Sequence, residues 1–168
     1  MITTNVRRCI IAGLQCGAAK ASVKVLSDSG SGSLSNIVSG LNWVQEQHRT
    51  SGRPSVAVLP LSGAGSTALD NAVASLTSSG VHVVVSAGDQ NTNIASVSPA
   101  RVPSAITVGA TTIADERIAV SNIGNITTHA PGQNILTGGH TSDTAMTTVS
   151  GTSAVRSSPL IGYSFKGG

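Results

Sequence analysis

Hydrophobic positions along the chain fall either in short, nearly continuous runs or at a three-to-four spacing, and the two patterns lay out strands and helices in turn. Val23-Lys24-Val25-Leu26 is a short β-rich run closed by the turn-forming cluster Ser27-Asp28-Ser29-Gly30-Ser31-Gly32. Ser33 or Ser35 then offers an N-cap. Ile37, Val38, Leu41 and Val44 fall at the spacing of one buried helical stripe, which Ser51-Gly52-Arg53-Pro54 stops. Ser55-Val56-Ala57-Val58-Leu59-Pro60-Leu61 reads as a second strand, and Leu69, Ala72, Val73 and Leu76 mark a second amphipathic helix ending at Ser78-Ser79-Gly80. Val81 to Val85 is a third strand and Ala105 to Ala110 a fourth. Strand, helix, strand, helix, strand with nearly continuous apolar strands predicts an α/β fold: a parallel sheet covered on both faces and wound right-handedly. Functional groups in such sheets sit on loops beyond the carboxyl ends of the strands. The loops in question are Leu61 to Gly65, Ser86 to Asn91 and the approach to Ser153, and glycine accumulates in them.

Composition narrows the class. With 39% hydrophobic and 10% charged residues in 168, one compact domain over residues 1–168 is expected, with a sizeable core. The net charge of +3 comes from scattered residues, with Arg7-Arg8 adjacent, and no basic stripe interleaves with aromatics, so no nucleic-acid partner is expected. Apolar runs such as Val81 to Val85 are far too short to span a bilayer, and Met1 to Asn5 lacks the basic-then-apolar pattern of a signal peptide. No membrane partner is expected. Cys9 and Cys16 fit neither a zinc knuckle nor a redox pair and read as buried or free thiols. The aromatics are Trp43, Tyr163 and Phe165, and the last two crowd into a tail of different character from the body.

The candidate chemistry is at Gly151-Thr152-Ser153, reached through Val149-Ser150. A serine hydroxyl at neutral pH is a poor nucleophile, so it needs a histidine to take its proton and a carboxylate to orient that histidine. Three segments around this serine carry a resemblance. The first runs from Val23 through Gly30-Ser31-Gly32 to Ile37-Val38-Ser39-Gly40-Leu41-Asn42-Trp43-Val44. The second is Val81 to Asn91 with Ser98-Pro99-Ala100 and Ile106-Thr107-Val108-Gly109-Ala110, and the third is Ala130-Pro131-Gly132, Ile135-Leu136 and Ser150-Gly151-Thr152-Ser153. Together they resemble the middle and C-terminal part of the catalytic domain of subtilisin-like serine proteases of the proteinase K-like branch, over about residues 19 to 154.

The resemblance implies a subtilisin-like three-layer fold, with a mostly parallel sheet between helices, incomplete at both ends. It also implies Ser153 as nucleophile and a peptide or protein as substrate. Leu61-Ser62-Gly63 takes the place of the extended strand that pairs with a peptide backbone, where Pro60 replaces a usual serine and removes a donor. Ser86-Ala87-Gly88 takes the opposite wall of the pocket, with small residues that leave room for a large apolar side chain. Asp89 stands where the family usually has an asparagine that donates to the oxyanion. Ionised, Asp89 offers only acceptors; protonated, it could still donate.

The triad partners are missing from this pattern. His48, His82, His129 and His140 lie in no Gly-His-Gly-Thr-His-like motif and read as structural or solvated, the last two in loops. Asp28, Asp70, Asp115 and Asp143 read as turn, cap or surface residues. Arg8-Cys9-Ile10-Ile11-Ala12-Gly13 vaguely resembles the helix that should carry the histidine, with Arg7 or Arg8 in its place. After Ser153 the pattern departs at Ala154-Val155-Arg156, and loss of the family's central helix should expose core surface that promotes self-association. Thr127 or Thr128 stands where relatives often supply a cation-binding aspartate, so neither metal nor cofactor is expected.

The leading expectation is therefore part of a usually secreted serine endopeptidase, shortened at both ends, with little or no activity as this chain. The alternatives are a non-catalytic pseudoprotease that binds peptides and a truncated or mis-spliced gene model. Val155-Arg156 can be encoded GTACGT, which resembles an intron donor, so residues 155–168 would then be translated intron.

Overall fold

The computed structural model describes residues 2–6, 19–27, 29–138 and 146–154. Readings that fall on Arg7, Arg8, Cys9, Cys16, Asp28, His140, Asp143 and the tail from Val155 lie outside the described residues. The chain runs β1 (Ile2–Val6), β2 (Ala19–Val23), α1 (Leu34–Ser51), β3 (Val56–Leu59), β4 (Gly63–Ala64), α2 (Thr67–Ser78) and β5 (His82–Ser86). It continues with a short 3-10 turn (Ile94–Ser96), β6 (Val97–Ser98), β7 (Ile106–Thr111), β8 (Thr128–Pro131), β9 (Ile135–Gly138) and β10 (Met146–Val149).

Both helices form where their apolar stripes predict. Ser33 caps α1 by accepting from the Asn36 N–H at 3.2 Å, and Ile37, Leu41 and Val44 are buried. The helix stops at Gly52, whose φ of 59° is left-handed and whose N–H closes on the His48 carbonyl. Ser66 caps α2, Asp70 sits in its first turn, and Leu69, Val73 and Leu76 are buried.

The six-stranded sheet has the order β2-β1-β3-β5-β7-β8. β3, β5, β7 and β8 run parallel, while β1 lies antiparallel to both β2 and β3. In β5, Val83, Val84 and Val85 are all buried, because the strand is covered on both faces; this explains its unbroken apolar run. Both helices pack on one face, against Ala57, Leu59, Val83 and Val85. On the other face Val84, Val108 and Ala110 pack with Ile118, from the long connection between β7 and β8. Among the described residues, this second face is packed by Ile118 of that loop.

The first strand also falls four residues earlier than the apolar run from Val23 to Leu26 predicts. Val25 is buried and Leu26 packs beside it beneath α1, so these side chains report burial and not ladder pairing. Two small antiparallel pairs, β4 with β6 and β9 with β10, complete the described fold.

One ion pair straps the helical layer to the loop beyond β6. Arg101 Nε donates to Asp70 Oδ2 at 2.6 Å, and Nη2 lies 2.6 Å from the same oxygen. Asp70 is therefore a partly buried strap, not a surface residue. Its Oδ1 is buried without a hydrogen-bond partner. Removing the guanidinium leaves this carboxylate short of both partners, so Arg101→Ala should cost about 2 kcal/mol in urea unfolding. Replacing the pair together, Asp70→Asn with Arg101→Met, should recover most of that loss. A single-variant change below about 0.5 kcal/mol would mean that water satisfies Asp70 instead.

Candidate active site

The site assembles at the carboxyl ends of β3 and β5, where an open parallel sheet places its loops. β3 delivers Pro60 and Leu61, and β5 delivers Ser86, Ala87, Gly88 and Asp89. The Ser86 hydroxyl donates to the Leu61 carbonyl at 3.2 Å, tying these two walls together. Ala87 is buried, and its N–H closes on the Val108 carbonyl at 2.9 Å. Ser62 lies beside Gly88: a Cβ built on that glycine would stand 3.2 Å from the Ser62 hydroxyl. Gly63 continues into β4 and pairs with Ser98 of β6.

The serine turn reaches these walls from the opposite end of the chain. β9 and β10 form a hairpin, and the Asn134 N–H bonded to Ser150 Oγ at 2.9 Å closes its base. Gly151 N–H then donates to the Gly132 carbonyl at 2.8 Å, and Ala154 N–H to the Gly151 carbonyl at 3.1 Å, which makes a tight turn. Ser153 is exposed on it, with Thr152 and Ala154 buried on either side. Ser153 Oγ lies 3.4 Å from the Pro60 carbonyl.

Two hydrogen bonds interlock the turn with the loop after β5. Thr152 N–H donates to Asp89 Oδ1 at 2.7 Å, and Gly88 N–H donates to Thr152 Oγ1 at 3.1 Å. Through these contacts Leu61 lies against Ser86, Ser62 beside Gly88, Asp89 against Thr152 and Ser153 against Pro60, with Ala87 buried between Ser86 and Gly88. Asp89 is engaged there as an acceptor, facing the backbone of the turn. The side chain of Thr152 and the buried amide of Asn122, which underlies the loop, are the components that sequence reading missed.

The described histidines lie elsewhere. His48 bridges the end of α1 to Ser55 Oγ at 3.0 Å and to the Ser79 carbonyl at 3.1 Å. His82 begins β5, at the end of that strand opposite the cleft. His129 belongs to β8, not to a loop, and its ring lies over Gly109. Among the described residues, none of their ring nitrogens is within hydrogen-bond distance of Ser153 Oγ. Nor do the described residues include a group of three or more His, Cys, Asp or Glu side chains that could hold a metal. No described helix is long and apolar enough to cross a membrane.

A mostly parallel α/β sheet thus presents a serine turn against the loops of its two central strands. The profile of the Subtilase family matches residues 2–165, and the chain belongs to that family. It is 47% identical over 148 residues to an extracellular serine proteinase of Thermus sp. (strain Rt41A), covering 85% of this chain and 35% of the relative. It is 43% identical over 155 residues to the subtilisin-like serine protease Pen ch 18 of Penicillium rubens, covering 85% of this chain and 31% of the relative. The crystal structure of a cold adapted subtilisin-like serine proteinase superposes with a TM-score of 0.72 at 41% identity, covering 83% of this chain and 49% of that one. The chain spans about a third of the length of the curated relatives it matches.

Gly151 tests the interlock. Its φ of 131° is strained for any L side chain, and a Cβ there would stand 2.7 Å from Asp89 Oδ2. The Asp89 side chain can swing away only by releasing Thr152. Gly151→Ala should therefore destabilise the chain by about 2 kcal/mol or more in urea unfolding. Combined with Asp89→Ala, it should cost less than the sum of the two single changes. Strict additivity would show that Asp89 does not contact the turn.

Proposed function

We propose that this chain carries the nucleophile and the peptide-seating walls of a serine endopeptidase site. Ser153 is the attacking residue in this reading. Leu61, Ser62 and Gly63 hold the substrate backbone, and Ser86, Ala87 and Gly88 line the pocket for the residue before the scissile bond. The observation that carries it is the exposed Ser153 hydroxyl set between these walls, 3.4 Å from the Pro60 carbonyl, in a member of the Subtilase family. A peptide laid along such an edge needs few side-chain contacts, because its own N–H and C=O groups make the bonds.

On its own the chain is a poor catalyst in this reading. Ser153 needs a base within hydrogen-bond reach, and the histidines among the described residues are committed elsewhere or remote. A second reading, a peptide-binding protein without turnover, is favoured by Asp89. Its carboxylate accepts from Thr152 N–H and offers no donor to a developing oxyanion. The two readings share the substrate strand and the pocket walls and differ in the chemistry at Ser153.

Both are tested on the full chain with an apolar peptide substrate and an organophosphonate probe. Hydrolysis should not rise above a Ser153→Ala control, and the peptide should still perturb the amides of Leu61 to Gly63 and Ser86 to Gly88 in NMR titration. Robust labelling of Ser153 by the probe would show an activated hydroxyl and contradict the expected inactivity. A peptide that perturbs neither segment would contradict the substrate-binding assignment.

A further inference from the structure

Asn122 is fully buried at 0% exposure and spends its whole hydrogen-bonding capacity on the loop that carries Asp89. Its Oδ1 accepts from Gln90 N–H at 3.0 Å and from Thr92 N–H at 2.9 Å. Its Nδ2 donates to the Ala87 carbonyl at 2.8 Å and to Gln90 Oε1 at 3.1 Å, and its own backbone N–H donates to the Gly88 carbonyl at 2.9 Å. Asp89 is thus pinned on both flanks, through the carbonyl of Gly88 and the N–H of Gln90. Only a side-chain amide offers two donors and two acceptor lone pairs in one plane, and here both kinds are used.

The segment around Asn122 is itself fixed. Ala110 N–H donates to Ser121 Oγ at 3.1 Å, anchoring it to β7. Asn91 N–H bonds the Val120 carbonyl, Ile123 N–H the Thr92 carbonyl and Ile94 N–H the Ile123 carbonyl, so the two segments zip together on either side of the amide. From Asn122 the chain of contacts leads through Gly88 and Gln90 to Asp89, from Asp89 Oδ1 to Thr152 N–H, and so to Ser153.

We propose that Asn122 is a positioning residue for the serine turn: it sets the place of Ser153 through Asp89, without touching the turn. This rests on the reading of that turn as the reactive site. A residue that merely filled the core would loosen its surroundings uniformly when changed. A positioning residue loosens the far end of its own chain of contacts and spares strands nearer to it in the core.

Amide hydrogen exchange on the full chain separates these. In Asn122→Ala, the amides of Gln90, Thr92 and Thr152 should exchange about tenfold or more faster, while those of Val84 and Val108 stay unchanged. Asn122→Asp keeps the shape and the acceptor but loses the donors to the Ala87 carbonyl and to Gln90 Oε1. It guards against failure of the alanine variant to fold. It should leave Gln90 and Thr92 protected and quicken Thr152 about threefold. Unchanged exchange at Thr152 in whichever variants fold would overturn the proposal. So would a uniform rise that includes Val84 and Val108. Exchange does not depend on Ser153 chemistry, so these outcomes stand apart from the peptide titration and probe labelling that test the site itself.

Discussion

The candidate site depends on the hydrogen bond between Thr152 N–H and the Asp89 carboxylate, 2.7 Å long, and on its return partner from Gly88 N–H to the Thr152 hydroxyl. These bonds run in opposite directions between segments 63 and 64 residues apart. Closing so long a loop costs entropy that two hydrogen bonds recover only when both segments are already held near their final places. One bond uses a carboxylate as acceptor, which makes it the stronger of the two. The Ser153 hydroxyl, exposed and set against the Pro60 carbonyl, takes its place from this fastening.

The rest of the fold supplies the holding. β5 is buried on both faces, so its carboxyl end is a rigid support from which Ser86 to Asp89 project. On one face α1 and α2 cover the sheet, and on the other the excursion between β7 and β8 folds back with Ile118. That excursion also carries Asn122 beneath the Asp89 loop. The turn is brought in by the hairpin of β9 and β10, whose outward side chains, Leu136 and Met146 among them, are exposed. The candidate site therefore lies where two strand ends, a looped excursion and a hairpin meet.

Legibility in the sequence followed the range of the interactions involved. Ser33 and Gly52 act on their own neighbours within a few residues, and the helix they bound could be read directly; the second helix was legible from its stripe of Leu69, Val73 and Leu76. The valines of β5 and the apolar core of β7 announced themselves by burial alone. β8, β9 and β10 did not, because threonine, histidine, proline and glycine in half-exposed strands carry no clean alternation. The run from Val23 to Leu26 misled because Val25 and Leu26 are apolar for the core beneath α1 and not for a ladder. The residues of the cleft were reachable through family motifs, since their spacing along the chain is distinctive. Asn122 was not, for its partners lie 30 residues or more away and an isolated asparagine has no periodic signature. Asp89 was singled out by its place in the motif, but that its carboxylate accepts from Thr152 N–H could be seen only in three dimensions.

That Asp89 fastens the serine turn as an acceptor can be read from a through-hydrogen-bond NMR correlation between the Thr152 amide nitrogen and the Asp89 carboxylate carbon in the full chain. A resolved cross-peak is expected, and it should survive Ser153→Ala, since the hydroxyl takes no part in the bond. Its absence, together with a Thr152 amide that exchanges as fast as an unprotected one, would contradict the interlock and with it the placement of Ser153 in the cleft.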